Sequence, residues 1–282
     1  MHTLTDAAGK SVTLPTKPQR IVSMLIGSDE MLMDLVEPER IAALSYLADD
    51  PGISNISDRS SLVKGRLRGY TAESIAKFKP DLVIIADWWQ PDVLHTLKDI
   101  GISVYIYRSP HTVEEVRGMI EEVAYVVGES ERGKKLIGTY DGKLAALKEK
   151  TANIGKRKSI VPMSSHGIVG TKGSLFDDMC NFIGIDNCVS RCDFSNSSTI
   201  SKELLVQMDP DMIILPDWDA PSSGKTYNVQ ALLNDPALQV MKAVRSKKVR
   251  TVGAKSMYTV SHYAADGMNI LAEAVYPEVK NP

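Results

Sequence analysis

The chain carries one stretch of text twice. Thr71-Ala-Glu-Ser-Ile-Ala-Lys-Phe-Lys-Pro-Asp-Leu-Val-Ile-Ile-Ala-Asp-Trp88 returns without a gap as Ser201-Lys-Glu-Leu-Leu-Val-Gln-Met-Asp-Pro-Asp-Met-Ile-Ile-Leu-Pro-Asp-Trp218. A constant offset of 130 residues pairs Thr71 with Ser201, Pro80-Asp81 with Pro210-Asp211, and Asp87-Trp88 with Asp217-Trp218. Each copy has the same physical reading. A hydroxyl caps a helix, and a Glu sits in the helix's first turn. Proline then forbids further helix. An apolar run follows, Leu82 to Ala86 or Met212 to Leu215, of the kind that forms a strand buried on both faces of a parallel sheet. A weaker pair, Arg20-Ile-Val-Ser-Met24 before Gly27-Ser28 and Lys158-Ser-Ile-Val-Pro-Met163 before Gly173-Ser174, extends the match. The repeat predicts an α/β chain of two similar Rossmann-like lobes with central parallel sheets.

Between the copies runs Ser130 to Ile154. Leu136, Ile137, Tyr140, Leu144 and Leu147 recur there at helical spacing, with Ser130 as cap and Gly155 as stop. Such a helix spans roughly 35 Å. It divides the chain into a lobe over 1–129, a joining helix over 130–154 and a lobe over 155–282. With 282 residues, each lobe has enough chain for its own core.

The rest of the chain alternates in the same way. Leu4 to Pro15 reads as a hairpin around Asp6-Ala-Ala-Gly9. Pro18–Met24, Ile41–Leu44, Ile102–Tyr107, Ser159–Met163 and Val249–Val252 read as strands. Helices are expected from Ser28 (as N-cap), over Pro91–Ile100, from Thr112 (as N-cap) to Val127, over Ser174–Ile183, and over Ser261–Val275. Ala48–Gly69 and Cys188–Ser198 read as irregular. Strands alternating with helices imply parallel sheets and right-handed crossovers.

Several function classes are excluded or disfavoured. A net charge of −2 gives no electrostatic footprint for nucleic acid or an anionic membrane. No apolar run reaches the length of a membrane span. No GxGxxG or Walker motif occurs, which disfavours nucleotides. The cysteines, Cys180, Cys188 and Cys192, have no CxxC spacing, which argues against zinc. They read as buried or loop thiols, with a Cys188–Cys192 or Cys180–Cys188 bridge left open. The opening Met1-His2-Thr3-Leu4 is no signal peptide, as expected of a trimmed chain.

In open α/β sheets, ligands bind beyond the carboxyl ends of the strands, and paired lobes place pockets between them. That rule selects Ser28, Tyr46, Trp88, Trp89, Arg108, His166, Trp218, Met257 and Tyr258. All three tryptophans fall in this set although aromatic content is only 6%. They follow strands and neighbour Asp, Gln and Pro, where loops at a cleft mouth are expected. Capping each lobe's core is the plainer alternative for them. Asp87 and Asp217 read more simply as strand-end carboxylates bonded to loop amides than as a catalytic pair. Ser165-His166 is not a nucleophile elbow. His166 is the histidine best placed for chemistry or metal ligation, with a loop histidine bonded to backbone the plainer alternative. Aromatic walls without an acid–base constellation point to binding, with no intrinsic cofactor.

The residues also resemble a family. Thr5-Asp-Ala-Ala-Gly9, Leu14-Pro15, Pro18-Gln-Arg-Ile-Val-Ser23, Gly27-Ser-Asp-Glu30, Glu73-Ser-Ile-Ala76, Lys79-Pro-Asp-Leu-Val83, Lys202-Glu-Leu204, Asp209-Pro-Asp211 and Tyr276-Pro277 are similar to the substrate-binding proteins of ABC importers for iron–siderophore complexes, haem and cobalamin. The resemblance implies two lobes bridged by one rigid helix, with a ligand cleft between them. It implies a monomer that delivers its chelate to a membrane permease. It also implies export, periplasmic or lipid-anchored, with a removed leader. The resemblance implies that an acidic residue near Asp92 would dock on the permease, and that Tyr70 lies near the place of an axial ligand in haem binders, with His166, Tyr46 and Tyr258 as other candidates for an axial ligand to a metal carried by the bound molecule. Only Arg108 and Lys255 lie near the expected mouth, whereas anionic siderophore sites gather several arginines. Flat aromatic faces suit an amphipathic macrocycle. The expected order is therefore a corrinoid such as cobalamin, then haem, then a ferric siderophore. A reading from another class, a two-lobed enzyme of nitrogenase-like or glycosyltransferase-like build, predicts a cluster or phosphate-loop motif, and neither is present.

Overall fold

A computed structural model describes residues 1–89, 92–164, 167–194, 200–217 and 228–280. The chain forms two compact units. The first holds Met1–Pro110, Glu114–Asp141 and Val260–Tyr263; the second holds His111–Val113, Gly142–Thr259 and Ala264–Pro282. This departs from the contiguous division expected from sequence in three places, one being His111–Val113, which join the second unit. The boundary falls inside the long helix rather than at its ends, and four residues from late in the chain belong to the first unit.

The first unit opens with the expected hairpin. Strands β1 (His2–Thr5) and β2 (Ser11–Leu14) pair antiparallel. Gly9 takes the left-handed φ of 74° that its turn demands. Strands β3 (Ile21–Ser23), β4 (Ile41–Ser45), β5 (Arg66–Leu67), β6 (Leu82–Ala86) and β7 (Val104–Tyr107) form one parallel sheet in the order β5-β4-β3-β6-β7. Helices α1 (Ile26–Leu35), α2 (Ala72–Ala76), α3 (Val93–Asp99) and α4 (Glu115–Val126) belong to this unit. Val22, Met24, Val83, Ile85, Val104 and Ile106 build its core with Ile75, Leu94 and Leu97.

Helix α5 (Ser130–Thr151) is continuous. Its first half packs on α4, where a Cβ on Gly133 would meet the Ala124 side chain at 2.4 Å. Its second half pairs with the last helix of the chain through Lys143–Asp266 and Lys150–Asn269. Of the expected apolar stripe, Tyr140 and Leu147 are fully buried.

The second unit repeats the plan. Strands β8 (Ser159–Ser164), β10 (Asp186–Asn187), β11 (Met212–Pro216) and β12 (Val249–Val252) run parallel in the order β10-β8-β11-β12, and β9 (Gly167–Ile168) adds antiparallel to β8. Helices α6 (Leu175–Ile183), α7 (Lys202–Met208), α8 (Val229–Leu233), α9 (Lys242–Arg245), α10 (Ala254–Met257) and α11 (Ala264–Val275) complete it. Apart from β5 and β9, both sheets run second-first-third-fourth in chain order, the doubly wound arrangement.

The repeated residues do the same work in both units. Thr71 and Ser201 cap α2 and α7 by accepting from Ser74 N and Leu204 N. Lys79 and Asp209 turn the chain out of the helix with positive φ, 48° and 38°. Asp81 accepts from Gln19 N (2.7 Å) and Arg20 N (2.9 Å), and Asp211 from Ser159 N (3.0 Å) and Ser159 Oγ (3.1 Å). Each clamps the start of the first strand of its unit's parallel sheet, β3 or β8. Asp87 accepts from Ser109 N (3.0 Å), and Asp217 from Ala254 N (2.8 Å). Each of these ties the end of the third strand to the loop after the fourth. The two Asp-Trp aspartates are thus structural clamps, the simpler of the two roles read from sequence.

Three local expectations are corrected, and one left open is closed. Ser28 is not an N-cap. Helix α1 starts three residues earlier than that cap would place it, after Leu25, and the Ser28 hydroxyl bonds backward to Leu25 O (2.9 Å) and Ser23 Oγ (2.8 Å). Thr112 does not cap α4, whose N-cap is Glu114. Residues 261–263 are not helical, because their polar groups bond to the first unit instead. The three cysteines are free, which closes both bridges left open.

Candidate functional site

Because every strand of the first unit's main sheet is parallel, all carboxyl ends lie along one edge. Five segments reach it: Leu25 after β3, Tyr46 after β4, Arg68 after β5, Asp87-Trp88-Trp89 after β6, and Arg108 after β7. Trp88 is 64% exposed and Tyr46 45% exposed, unusual values for such large apolar surfaces. The Trp88 and Trp89 rings lie 6.5 Å apart at 30°. Trp89 is half-buried, meets Tyr70 edge-on at 4.6 Å and 85°, and leans on the sheet core. Burial pushes the Tyr70 phenol up, with Tyr46 and Asp29 adding to it, so these groups are neighbours. Tyr46, Tyr70, Trp88 and Trp89 therefore make one aromatic rim. Arg68 and Arg108 are exposed beside it. Tyr70 and Arg68 were not among the selected site residues. Arg68's signal was only that it follows β5, a two-residue strand too short to show in sequence, and Tyr70's was only its place near an axial ligand in the haem binders the chain resembles.

Beneath the rim lies an acidic helix start. Asp29 and Glu30, in the first turns of α1, are buried. Asp29 accepts from Ser45 N at 3.0 Å and from the Ser45 hydroxyl. Burial pushes its carboxyl up to about 7; the Ser23 and Ser45 hydroxyls and the Ser45 amide pull the other way, and Glu30 adds to the rise. Glu30 is raised too, mainly by burial, although Ser261 and Asn55 bond to it. One turn on, Asp34 meets His262 Nε2 (2.9 Å), Arg59 (2.7 Å) and the Tyr263 hydroxyl (3.2 Å). Burial would raise the Asp34 carboxyl, but His262 and Arg59 outweigh it and hold it well below the usual range. This network seats residues 260–263 on the first unit. Gly27 makes room for them: a Cβ there would stand 2.9 Å from Val260 Cγ2.

The selected residues fare unequally. Tyr46, Trp88, Trp89 and Arg108 share the carboxyl edge of the first unit. Ser28 is removed from the set, since it is fully buried and its hydroxyl is used on Leu25 O and Ser23 Oγ. In the second unit Met257 is 3% exposed, so it is core rather than site. It lies on α10, which α11 approaches so closely that a Cβ on Gly267 would be 2.5 Å from Ser256 O. Tyr258 is half-buried with an enclosed hydroxyl. His166 and Trp218 lie outside the described residues. Among the described residues, no cluster of three His, Cys, Asp or Glu side chains could hold a metal ion. Nor is any described helix long and apolar enough to cross a membrane.

A family model described as periplasmic binding protein matches residues 15–255. An uncharacterised ABC transporter substrate-binding lipoprotein of Bacillus subtilis, YvrC, is 23% identical, over 98% of this chain and 86% of its own length. The ferric-anguibactin-binding protein FatB of Vibrio anguillarum is also 23% identical, over 88% of this chain and 79% of its own. Among solved structures, the periplasmic haem-binding protein RhuT of Roseiflexus sp. RS-1 superposes with a TM-score of 0.78 at 20% identity, covering 93% of this chain and 99% of RhuT. The match in fold agrees with the two parallel sheets. The chain belongs to the periplasmic binding protein family.

Proposed function

We propose that this chain, as the substrate-binding component of an ABC importer, captures a large, flat, amphipathic metal chelate. The observation that carries the reading is the aromatic rim of the first unit, with Trp88 and Tyr46 open to solvent at the strand ends. Indole and phenol faces suit a macrocycle, and Arg68 and Arg108 suit peripheral carboxylates. A corrinoid comes first, then haem, then a ferric siderophore. The relatives FatB and RhuT bind members of this chelate class by name. Binding and release are the whole activity, with the metal belonging to the cargo. The protein works outside the cytoplasm, free or lipid-anchored, as a monomer that hands its ligand to a permease.

The test is titration of tryptophan fluorescence and visible absorption with cyanocobalamin, haemin and a ferric catecholate. Saturable binding of one of them is expected. Replacing Trp88 and Trp89 together by Ala should weaken it at least about tenfold, the usual cost of losing aromatic anchors. Absence of binding to all three overturns the reading. Unchanged affinity in the double variant removes the rim from the site.

A further inference from the structure

We propose that Asp29 is a positioning residue for Tyr46: its buried carboxylate, gripping Ser45, sets the end of β4 and so the place of Tyr46 on the aromatic rim. The inference rests on the rim being the ligand face. Its basis is geometric. Asp29 and Ser45 are both 0% exposed. Ser45 gives the carboxylate its amide, 3.0 Å and 3.2 Å from the two oxygens, and its hydroxyl as well. Ser45 is also the N-cap residue of the 3-10 turn Tyr46–Asp49, yet its side chain makes no cap bond. Its hydroxyl is committed to Asp29. The next residue, Tyr46, is 45% exposed and gains no seat from burial. Its backbone direction is set by the clamp one residue before it.

The clamp is proton-sensitive. The titratable groups facing Asp29 are Glu30 on the same helix, Tyr107 at the end of β7, and Tyr70 ahead of α2. With Asp29 ionised, Ser45 donates twice to a charged acceptor. With Asp29 protonated, both bonds become neutral and one carboxyl oxygen must donate. Neutral bonds are roughly half as strong as charge-assisted ones. The carboxyl titrates near 7. Burial outweighs these bonds, since the carboxyl lies well above its ordinary 3.8, so ionisation favours release of the clamp into water. Ligand affinity should therefore fall as pH rises from 5 to 7 and level off above it, by about fivefold for roughly 1 kcal/mol of clamp strength.

Two readouts separate this inference from the reading it rests on. The first is hydrogen exchange at the Ser45 and Tyr46 amides in ligand-free protein, corrected for the intrinsic pH dependence of exchange. Wild type should lose protection as pH rises toward 7 and level off above it; Asp29→Asn should stay flat, and Glu30→Gln should keep the step. No step in wild type, or a step that survives Asp29→Asn, overturns the inference whatever the ligand. The second is affinity for whichever chelate binds. Asp29→Asn should give pH-independent binding, and Tyr46→Ala weak, pH-independent binding. Tight binding with an unchanged pH profile in Asp29→Asn overturns the inference and leaves the chelate reading standing. An exchange step with no chelate bound at any pH overturns the chelate reading, and with it the role assigned to Tyr46. Asp29→Asn removes a carboxylate whose burial is unfavourable, so it should fold.

Discussion

The twin aspartates before β6 and β11 invite a paired experiment, because their geometries differ in one decisive way. Asp81 uses both oxygens, one for Gln19 N and one for Arg20 N. Asp211 uses a single oxygen, Oδ2, for both the amide and the hydroxyl of Ser159. Asparagine offers one acceptor and one donor. Asp211→Asn keeps both bonds and loses only the charge assistance, so a cost of about 1 kcal/mol is expected. Asp81→Asn must turn its amide NH2 toward a backbone N–H, losing one bond outright and facing donor with donor. A charged-acceptor bond contributes about 1.5–3 kcal/mol, and half-exposure lowers that, so about 2 kcal/mol is expected. Urea unfolding followed by far-UV circular dichroism at pH 7 measures both. The double variant should cost the sum, since the sites share no partner and lie in separate units. The pH dependence supplies a further check. Burial would raise the Asp211 carboxyl, but the Ser159 amide and hydroxyl, with Lys242 and Lys156 nearby, hold it below the usual carboxylate range. A depressed carboxyl contributes stability that is complete above its unfolded pKa of 3.8 and fades as pH falls through the folded value. Asp211→Asn should remove that fade. An Asp211→Asn cost equal to or greater than that of Asp81→Asn would refute the argument from acceptor count.

Three further outcomes are expected. Asp34→Ala should cost about 3 kcal/mol or more at pH 7 in urea unfolding, because it strips partners from Arg59, His262 and Tyr263 at once. The Asp34 carboxyl is depressed, so the difference from wild type should narrow as pH falls below about 4, and a difference constant with pH would argue against the network. Gly267→Ala should lower the melting temperature sharply, at a cost of about 2 kcal/mol, since its Cβ would overlap the Ser256 carbonyl and push α10 off α11; a neutral substitution would show that contact to be soft. Native protein should expose one fast-reacting thiol to Ellman's reagent, half-buried Cys192, and three after denaturation; burial raises the Cys180 and Cys188 thiols and shields them, and three fast thiols in native protein would contradict their burial.

What was legible in the sequence is what local chemistry writes. Strand β6 matches its apolar run residue for residue, because five consecutive buried side chains leave no ambiguity. Thr71 and Ser201 are caps as read, each bonding an amide three residues on. What escaped depends on residues far apart in the chain. Ser261 and His262 have helical neighbours and helical spacing, yet they bond to Glu30 and Asp34, over 200 positions away. Strands β5 and β10 have two residues each, too few for a period, and exist because a neighbouring strand accepts them. Ser28 showed the hydroxyl expected of a cap, but the extended residue before α1 is Leu25, so the serine fell inside the helix. At the candidate site, strand order alone placed Tyr46, Trp88, Trp89 and Arg108 on one edge. Sequence could not show that Met257 faces the core, since an apolar residue on a four-residue helix has no readable face.

The duplication also shows which part of each unit is free to vary. The helix cap, the left-handed exit residue, the proline and the two aspartate clamps recur at constant offset and make equivalent contacts in both units. All of them act on backbone groups, so they fix strand positions without regard to the side chains at the strand ends. The segments between the clamps are unconstrained by them. In the first unit the stretch after β4 runs through two 3-10 turns into β5 and delivers Arg68 and Tyr70 to the edge. In the second unit the corresponding stretch, after β10, carries a 3-10 turn and no strand among its described residues. A frame held by backbone clamps with interchangeable ends is what ligand diversity within one fold requires, since the ends can change while the sheets stay in register. On this argument, exchanging Tyr46, Tyr70 and Trp88 should alter which chelate binds with little loss of stability, whereas exchanging Asp81 or Asp87 should do the reverse.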